Sequence, residues 1–189
     1  MRPSTRVLTL STVAFTLLFA VWLMFGVLGV PIRDEFHLDT VKFSWLTAIA
    51  VLSGSIWRLP LGILTDRYGG RRLMTLLLLA TAVPTVLVAA ATSFTQLLVY
   101  AFLFGIAGNS FSIGIAWNAA WAERQRQGFA LGVFGGGNVG ASLTKLIGPA
   151  LIALVPAGTS LAFIPGGWRF VPVLYAGSLV IMAAVLWLL

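Results

Sequence analysis

The chain has 189 residues, of which 59% are hydrophobic and 9% charged, with no cysteine and a formal net charge of +7. A soluble domain of this length cannot hide so much apolar surface, because its exterior must still be wetted; the composition therefore excludes a soluble globular domain and indicates a helical integral membrane protein. Without cysteine there is no disulfide, thiolate nucleophile or thiolate metal site, and the excess of Lys and Arg is read as loops marking the cytoplasmic face rather than as a nucleic-acid surface.

Six apolar stretches follow in chain order, at roughly 8–31, 44–64, 73–92, 95–121, 129–155 and 169–189. Each can cross a hydrocarbon core ~30 Å thick at ~1.5 Å per residue. The expected fold is all-α, a polytopic membrane protein with six transmembrane helices in one bundle over residues 1–189. The first stretch follows Arg2 and Arg6 but is too long for the apolar part of a signal peptide, and no small-residue cleavage site follows it, so it is read as a retained span. In the next loop the single histidine, His37, lies among Asp34, Glu35 and Asp39, as a solvated residue rather than a metal ligand or catalytic base. No Ser-His-Asp or paired-carboxylate pattern points to an enzyme, and no cofactor or metal is implied. Arg2, Arg6, Arg67, Arg71, Arg72, Arg124 and Arg126 fall on one side of the spans, and Arg33, Lys42 and Arg169 on the other. By the positive-inside rule both termini are cytoplasmic, in a cell (inner or plasma) membrane. The chain stops at Leu189 with no polar tail, as an architecture ending midway would.

The second stretch contains "SGSIWRLPLG", residues 53–62. Arg58 lies eight residues before Asp66, roughly 12 Å above the rim and close to mid-membrane. An arginine there costs about 2.5–3.5 kcal/mol on insertion scales. It is either half of a structural ion pair or a ligand-binding group. None of the five acids falls within a predicted span, which favours the ligand: a planar guanidinium fork suits a planar oxyanion bidentately.

Directly after it comes "LGILTDRYGGRR", residues 61–72, a helix end and tight turn carrying an acid and three arginines. It resembles the helix 2–3 loop signature of the major facilitator superfamily, with Gly62, Asp66, Arg67, Gly69 and Arg71 in order; the family usually has a basic residue where Gly70 stands. The resemblance implies that six helices form one half of a twelve-helix fold, with substrate near the midplane between halves. It also implies a gating role for Asp66, Arg67 and Arg71 at the cytoplasmic side.

In the fourth stretch, "FGIAGNSFSIGIAWNAAW", Phe111 lies twelve residues before Glu123, roughly 18 Å from that rim. By itself an aromatic there is a packing residue. The fifth stretch contains "ALGVFGGGNVGASLTKLIGPAL", residues 130–151. Gly132, Gly136 and Gly140 recur every four residues and mark a thin helix face that lets another backbone approach. Asn138, Ser142 and Lys145 fall at i, i+4 and i+7 on a roughly opposite face, a polar stripe toward a water-filled path. Asn138 shares the depth of Arg58 and Phe111, and Lys145 lies roughly 10 Å nearer the external mouth.

The run "GVFGGGNVGASLTKLIGP" closely resembles the nitrate signature in helix five of the nitrate/nitrite porter family, its Gly-x-Gly-Asn-x-Gly core appearing as Gly135, Gly137, Asn138 and Gly140. "SGSIWRLPLG" looks like that family's anion-binding segment, with Arg58 as its arginine, and Phe111 has the spacing of the phenylalanine that stacks on the anion. The resemblance implies transport of nitrate or nitrite by alternating access, bound by Arg58, Phe111 and Asn138, with Ser142 and Lys145 on the path. "GNVGASLTK" looks more like the proton-coupled branch than the exchange branch. The family's second arginine and second signature belong to its other half, so a carboxy-terminal six-helix partner is implied. The alternatives are a carrier of another small anion in the same superfamily and a half that does not transport.

Overall fold

In hydrocarbon every backbone N–H and C=O must be satisfied within the protein, and a helix does so within one segment. The computed structural model describes residues 3–161 and 164–188 and is built accordingly. Among these residues ten α-helices, some joined by 3-10 turns, group into six spans. The first span joins α1 (Pro3–Trp22) and α2 (Phe25–Phe36), and the second joins α3 (Thr40–Ile56) and α4 (Arg58–Tyr68). The third is α5 (Gly70–Ala89). The fourth runs through α6 (Phe94–Phe104), a 3-10 segment at Gly105–Asn109, and α7 (Ser110–Trp121). The fifth runs through α8 (Gln127–Gly135), a 3-10 turn at Gly136–Asn138, and α9 (Val139–Leu154). The sixth is α10 (Phe170–Leu188). The all-α expectation holds for the membrane part. The loop before α10 adds what composition did not suggest, a short antiparallel pairing of Ser160–Leu161 with Ile164–Pro165.

Local chemistry sets the ends and breaks. Asp39 caps α3 by accepting from the Lys42 backbone N–H at 2.7 Å, and Ser93 caps α6 by accepting from Gln96 N–H at 3.3 Å. His37 closes α2 in the left-handed conformation, φ 49°, with its own N–H and that of Leu38 donating to the Arg33 carbonyl. The exposed loop histidine is thus a helix terminator. The second span, expected as one stretch, is longer and bends by 41° at Trp57. Pro60 accounts for this: it has no N–H to give the Ile56 carbonyl, and its ring crowds the preceding turn.

The core forms where α1, α5, α7 and α10 meet, around fully buried Leu18, Leu78, Ile113 and Leu179. Gly140 lets α9 cross α1 at backbone distance; a Cβ there would lie 2.1 Å from the Thr16 carbonyl oxygen. The alternation of spans is fixed at both rims. Arg6, Arg71, Trp121 and Leu186 line one cleft, so the start of α1, the start of α5 and the ends of α7 and α10 share a rim. At the opposite rim Glu35 pairs with Arg169. Trp168 Nε1 donates to the other Glu35 oxygen at 2.6 Å, and Arg169 Nη1 donates to the Ala89 carbonyl at 2.6 Å. This knot ties the ends of α2 and α5 to the start of α10.

Candidate anion site

Arg58 is the first residue of α4, immediately after the bend, and its side chain is exposed on the bundle surface. Among the described residues the one ion pair is Glu35–Arg169. Arg58 therefore stands without a carboxylate partner there, as expected from the absence of acids within the predicted spans. At the break Pro60 leaves the Ile56 carbonyl without its helical donor, while Trp57 N–H still donates to the Ser53 carbonyl and Leu61 N–H to the Trp57 carbonyl. Such irregular backbone is tolerated at membrane depth where it is covered by protein or lines a watery cavity.

Phe111 lies in the first turn of α7, half-buried. Its ring is 5.6 Å from that of Phe15 and 6.1 Å, stacked, from that of Phe134; Phe15 and Phe134 stack on each other at 4.8 Å. Three spans thus contribute one aromatic cluster. Phe15 also covers Gly137, whose Cβ would lie 2.4 Å from the Phe15 ring, so the glycine-rich turn and Phe111 are held against the same side chain. Sequence reasoning missed Phe15 and Phe134; their signal was the spacing Phe15, Phe19, Trp22 and Ala130, Phe134, Gly137 on single helix faces.

On the fifth span the 3-10 turn Gly136–Asn138 changes the phase between α8 and α9. The buried strip is Ala130, Phe134, Gly137, Gly140, Thr144 and Gly148, not the glycine series at four-residue spacing. Of that series Gly140 is buried, whereas Gly132 and Gly136 are both exposed, and a Cβ added at either would meet no atom within 4 Å. Asn138, Ser142 and Lys145 are all exposed. Asn138 Nδ2 donates to the Gly135 carbonyl at 2.8 Å, which orients the amide at the turn. Thr144 faces inward beside Lys145 and pins the fifth span to the sixth, its hydroxyl 2.8 Å from that of Tyr175.

At the loop between the second and third spans, Gly69 turns the chain at φ 85° and separates α4 from α5. Gly70 is buried beneath Trp117, and a Cβ there would lie 2.2 Å from the indole side chain. The departure from the usual basic residue at this position therefore has a steric cause: the Trp117 side chain occupies its space. Asp66, Arg67 and Arg71 are exposed, and the Arg67 guanidinium lies 5.6 Å from the Tyr68 ring.

Residues 10–189 match the Major Facilitator Superfamily. The chain is 67% identical over 183 residues to the "Probable nitrate/nitrite antiporter NarK1" of Thermus thermophilus, covering 96% of this chain and 41% of that protein. It is 35% identical to the "Nitrate/nitrite transporter NrtP" of a Picosynechococcus species, over 87% of this chain and 30% of that protein. The chain thus spans well under half the length of these relatives. In fold it matches a bacterial homologue of the human lysosomal transporter Spinster, inward-facing and occupied, with a TM-score of 0.86 at 22% identity, over 100% of this chain and 44% of that one.

Proposed function

The chain belongs to the Major Facilitator Superfamily, and from that premise we propose that it is the amino-terminal half of a transporter that moves nitrate and nitrite across a cytoplasmic membrane by alternating access. Arg58 carries this reading: an exposed guanidinium without a carboxylate partner among the described residues, set at a break in the second span of a multi-pass membrane protein. A planar anion offers it two parallel charge-assisted hydrogen bonds. Phe111 supplies a ring face on the packed Phe15–Phe134 cluster, and Asn138 supplies an amide on the open side of the fifth span. Ser142 and Lys145 continue that open side along the path. A carboxy-terminal six-helix half closes the site and adds a second cation. Asp66, Arg67 and Arg71 act at the gate, and Gly132 and Gly136 are thin positions against which the second half closes. Both termini lie in the cytoplasm, on the arginine-rich rim.

Uptake of labelled nitrate into liposomes, by this chain together with its carboxy-terminal half, tests the reading. Saturable uptake that drops with Arg58→Lys supports the bidentate role, and wild-type uptake by that variant sinks it. Formate or cyanate competing as well as nitrite would favour the other small-anion carrier. Coupling is decided in the same vesicles. Stimulation by an inward proton gradient fits the "GNVGASLTK" likeness, and stimulation by internal nitrite fits exchange.

A further inference from the structure

The α5–α10 pair presents a second feature, remote in character from the anion site. From Leu76 to Leu87 every exposed residue of α5 is Leu, Val or Ala, and the exposed residues of α10 from Leu174 onward are all apolar. The second and fifth spans instead expose Arg58, Asn138, Ser142 and Lys145. The α5–α10 surface therefore faces lipid. It is not smooth: a groove of about 580 Å³ runs between the two helices, lined by Leu76, Leu79, Val180, Ala184 and Trp187, with Arg72 at its mouth and the buried Thr75 just below it, whose hydroxyl donates to the Arg71 carbonyl. From Arg72 to Leu79 the groove follows seven residues, roughly 10 Å of helix. On the other side of the pair Arg71 and Arg6 share a cleft of about 220 Å³ with Trp117 and Trp121. None of these three arginines is in an ion pair among the described residues.

We infer that this groove is a seat for an anionic phospholipid of the arginine-rich leaflet, its phosphate on Arg72 and one acyl chain along Leu76, Leu79 and Val180. Charge complementarity selects the headgroup: Arg72 stands at the mouth of the groove, Arg71 and Arg6 raise the positive charge of the same rim from the other side of the helix pair, and each basic residue near an anionic surface contributes about fivefold in binding. Apolar lining selects a lipid over a free phosphate, because a soluble anion gains nothing from the groove below Arg72. Trp187 lies at interfacial depth, where an indole ring is stable at the headgroup boundary.

Tryptophan quenching tests this with the purified protein in phosphatidylcholine nanodiscs that carry acyl-brominated phosphatidylglycerol or, at equal content, acyl-brominated phosphatidylcholine. The expected result is stronger quenching by the glycerol lipid. That excess should fall about fivefold in Arg72→Gln, in line with the loss of one basic residue near an anionic surface, persist in Arg72→Lys, and largely vanish in Trp187→Phe. Ala184→Phe, which fills the groove and keeps the charge, should also lower it. Equal quenching by the two lipids, or an excess indifferent to Arg72→Gln or Ala184→Phe, would overturn the lipid seat. So would an excess abolished by soluble glycerophosphate, which would make Arg72 a free-phosphate site.

Discussion

α9 and α10 are consecutive apolar helices of 16 and 19 residues, yet they meet the bundle in opposite ways. α10 buries nine side chains, many of them large, along α5. α9 buries three residues, Gly140, Thr144 and Gly148, so it touches the bundle along a strip of small residues. Their open sides differ as well. That of α10 is apolar, while that of the fifth span carries Asn138, Ser142 and Lys145. In a membrane bundle exposure alone does not distinguish lipid contact from a functional face; the polarity of the exposed positions does. Damage to the buried strips should therefore register as lost stability, and damage to the open polar face as lost transport by a protein that still folds.

The two glycines of the fifth span test this most sharply. Gly140→Leu should destabilise the protein by about 3 kcal/mol and lower its membrane-inserted yield, because the first added carbon meets the Thr16 backbone at 2.1 Å. Gly136→Leu meets open space within this chain and should leave thermal unfolding within about 0.5 kcal/mol while reducing transport. Equal loss of stability in both variants would erase the distinction. Next in size is Arg58→Gln, which should reduce nitrate uptake roughly ten- to a hundredfold through lost charged hydrogen bonds, with an unchanged melting temperature in detergent. A matching fall in the melting temperature would move Arg58 to the structural side.

Gly70→Ala is the third test, at the buried start of α5. The added carbon would sit 2.2 Å from Trp117, and the expected cost is about 1–3 kcal/mol in thermal or denaturant unfolding. Gly62→Ala, with no atom within 4 Å, serves as its control. Glu35→Gln should cost about 1 kcal/mol by loosening the knot with Arg169 and Trp168, less than a buried pair because the Glu35 side chain is 43% exposed. Its effect should shrink at high salt. If Lys145 draws anions toward the path as proposed, Lys145→Gln gives the smallest effect, a few-fold reduction of nitrate uptake at low ionic strength that disappears as salt screens the charge. Salt-independent loss would place Lys145 in the binding site itself.

The residues differ in how much of this could be read from order alone. Hydropathy, the placement of arginines in loops, the cap at Asp39 and the spacing of Arg58 from Asp66 are local properties; each depends on a residue and its immediate neighbours, so the sequence by itself determined the membrane class and the run of apolar helices, and singled out Arg58 as a candidate. Pro60 was equally visible as the cause of a bend, although the stretch read as continuous because its apolar character does not stop there. Which side of a span faces inward was not legible, because a helix that is apolar nearly all round has no polar face to betray its orientation. Gly132, Gly136 and Gly140 share a spacing, but the 3-10 turn at Gly136–Asn138 and the approach of Thr16 assign them different surroundings. Only the tertiary structure brought Phe15, Phe111 and Phe134 into one cluster, put Trp117 over Gly70, and joined Glu35 to Arg169 across 134 residues of chain. These contacts are selected by shape and charge complementarity between distant segments, which no local period encodes.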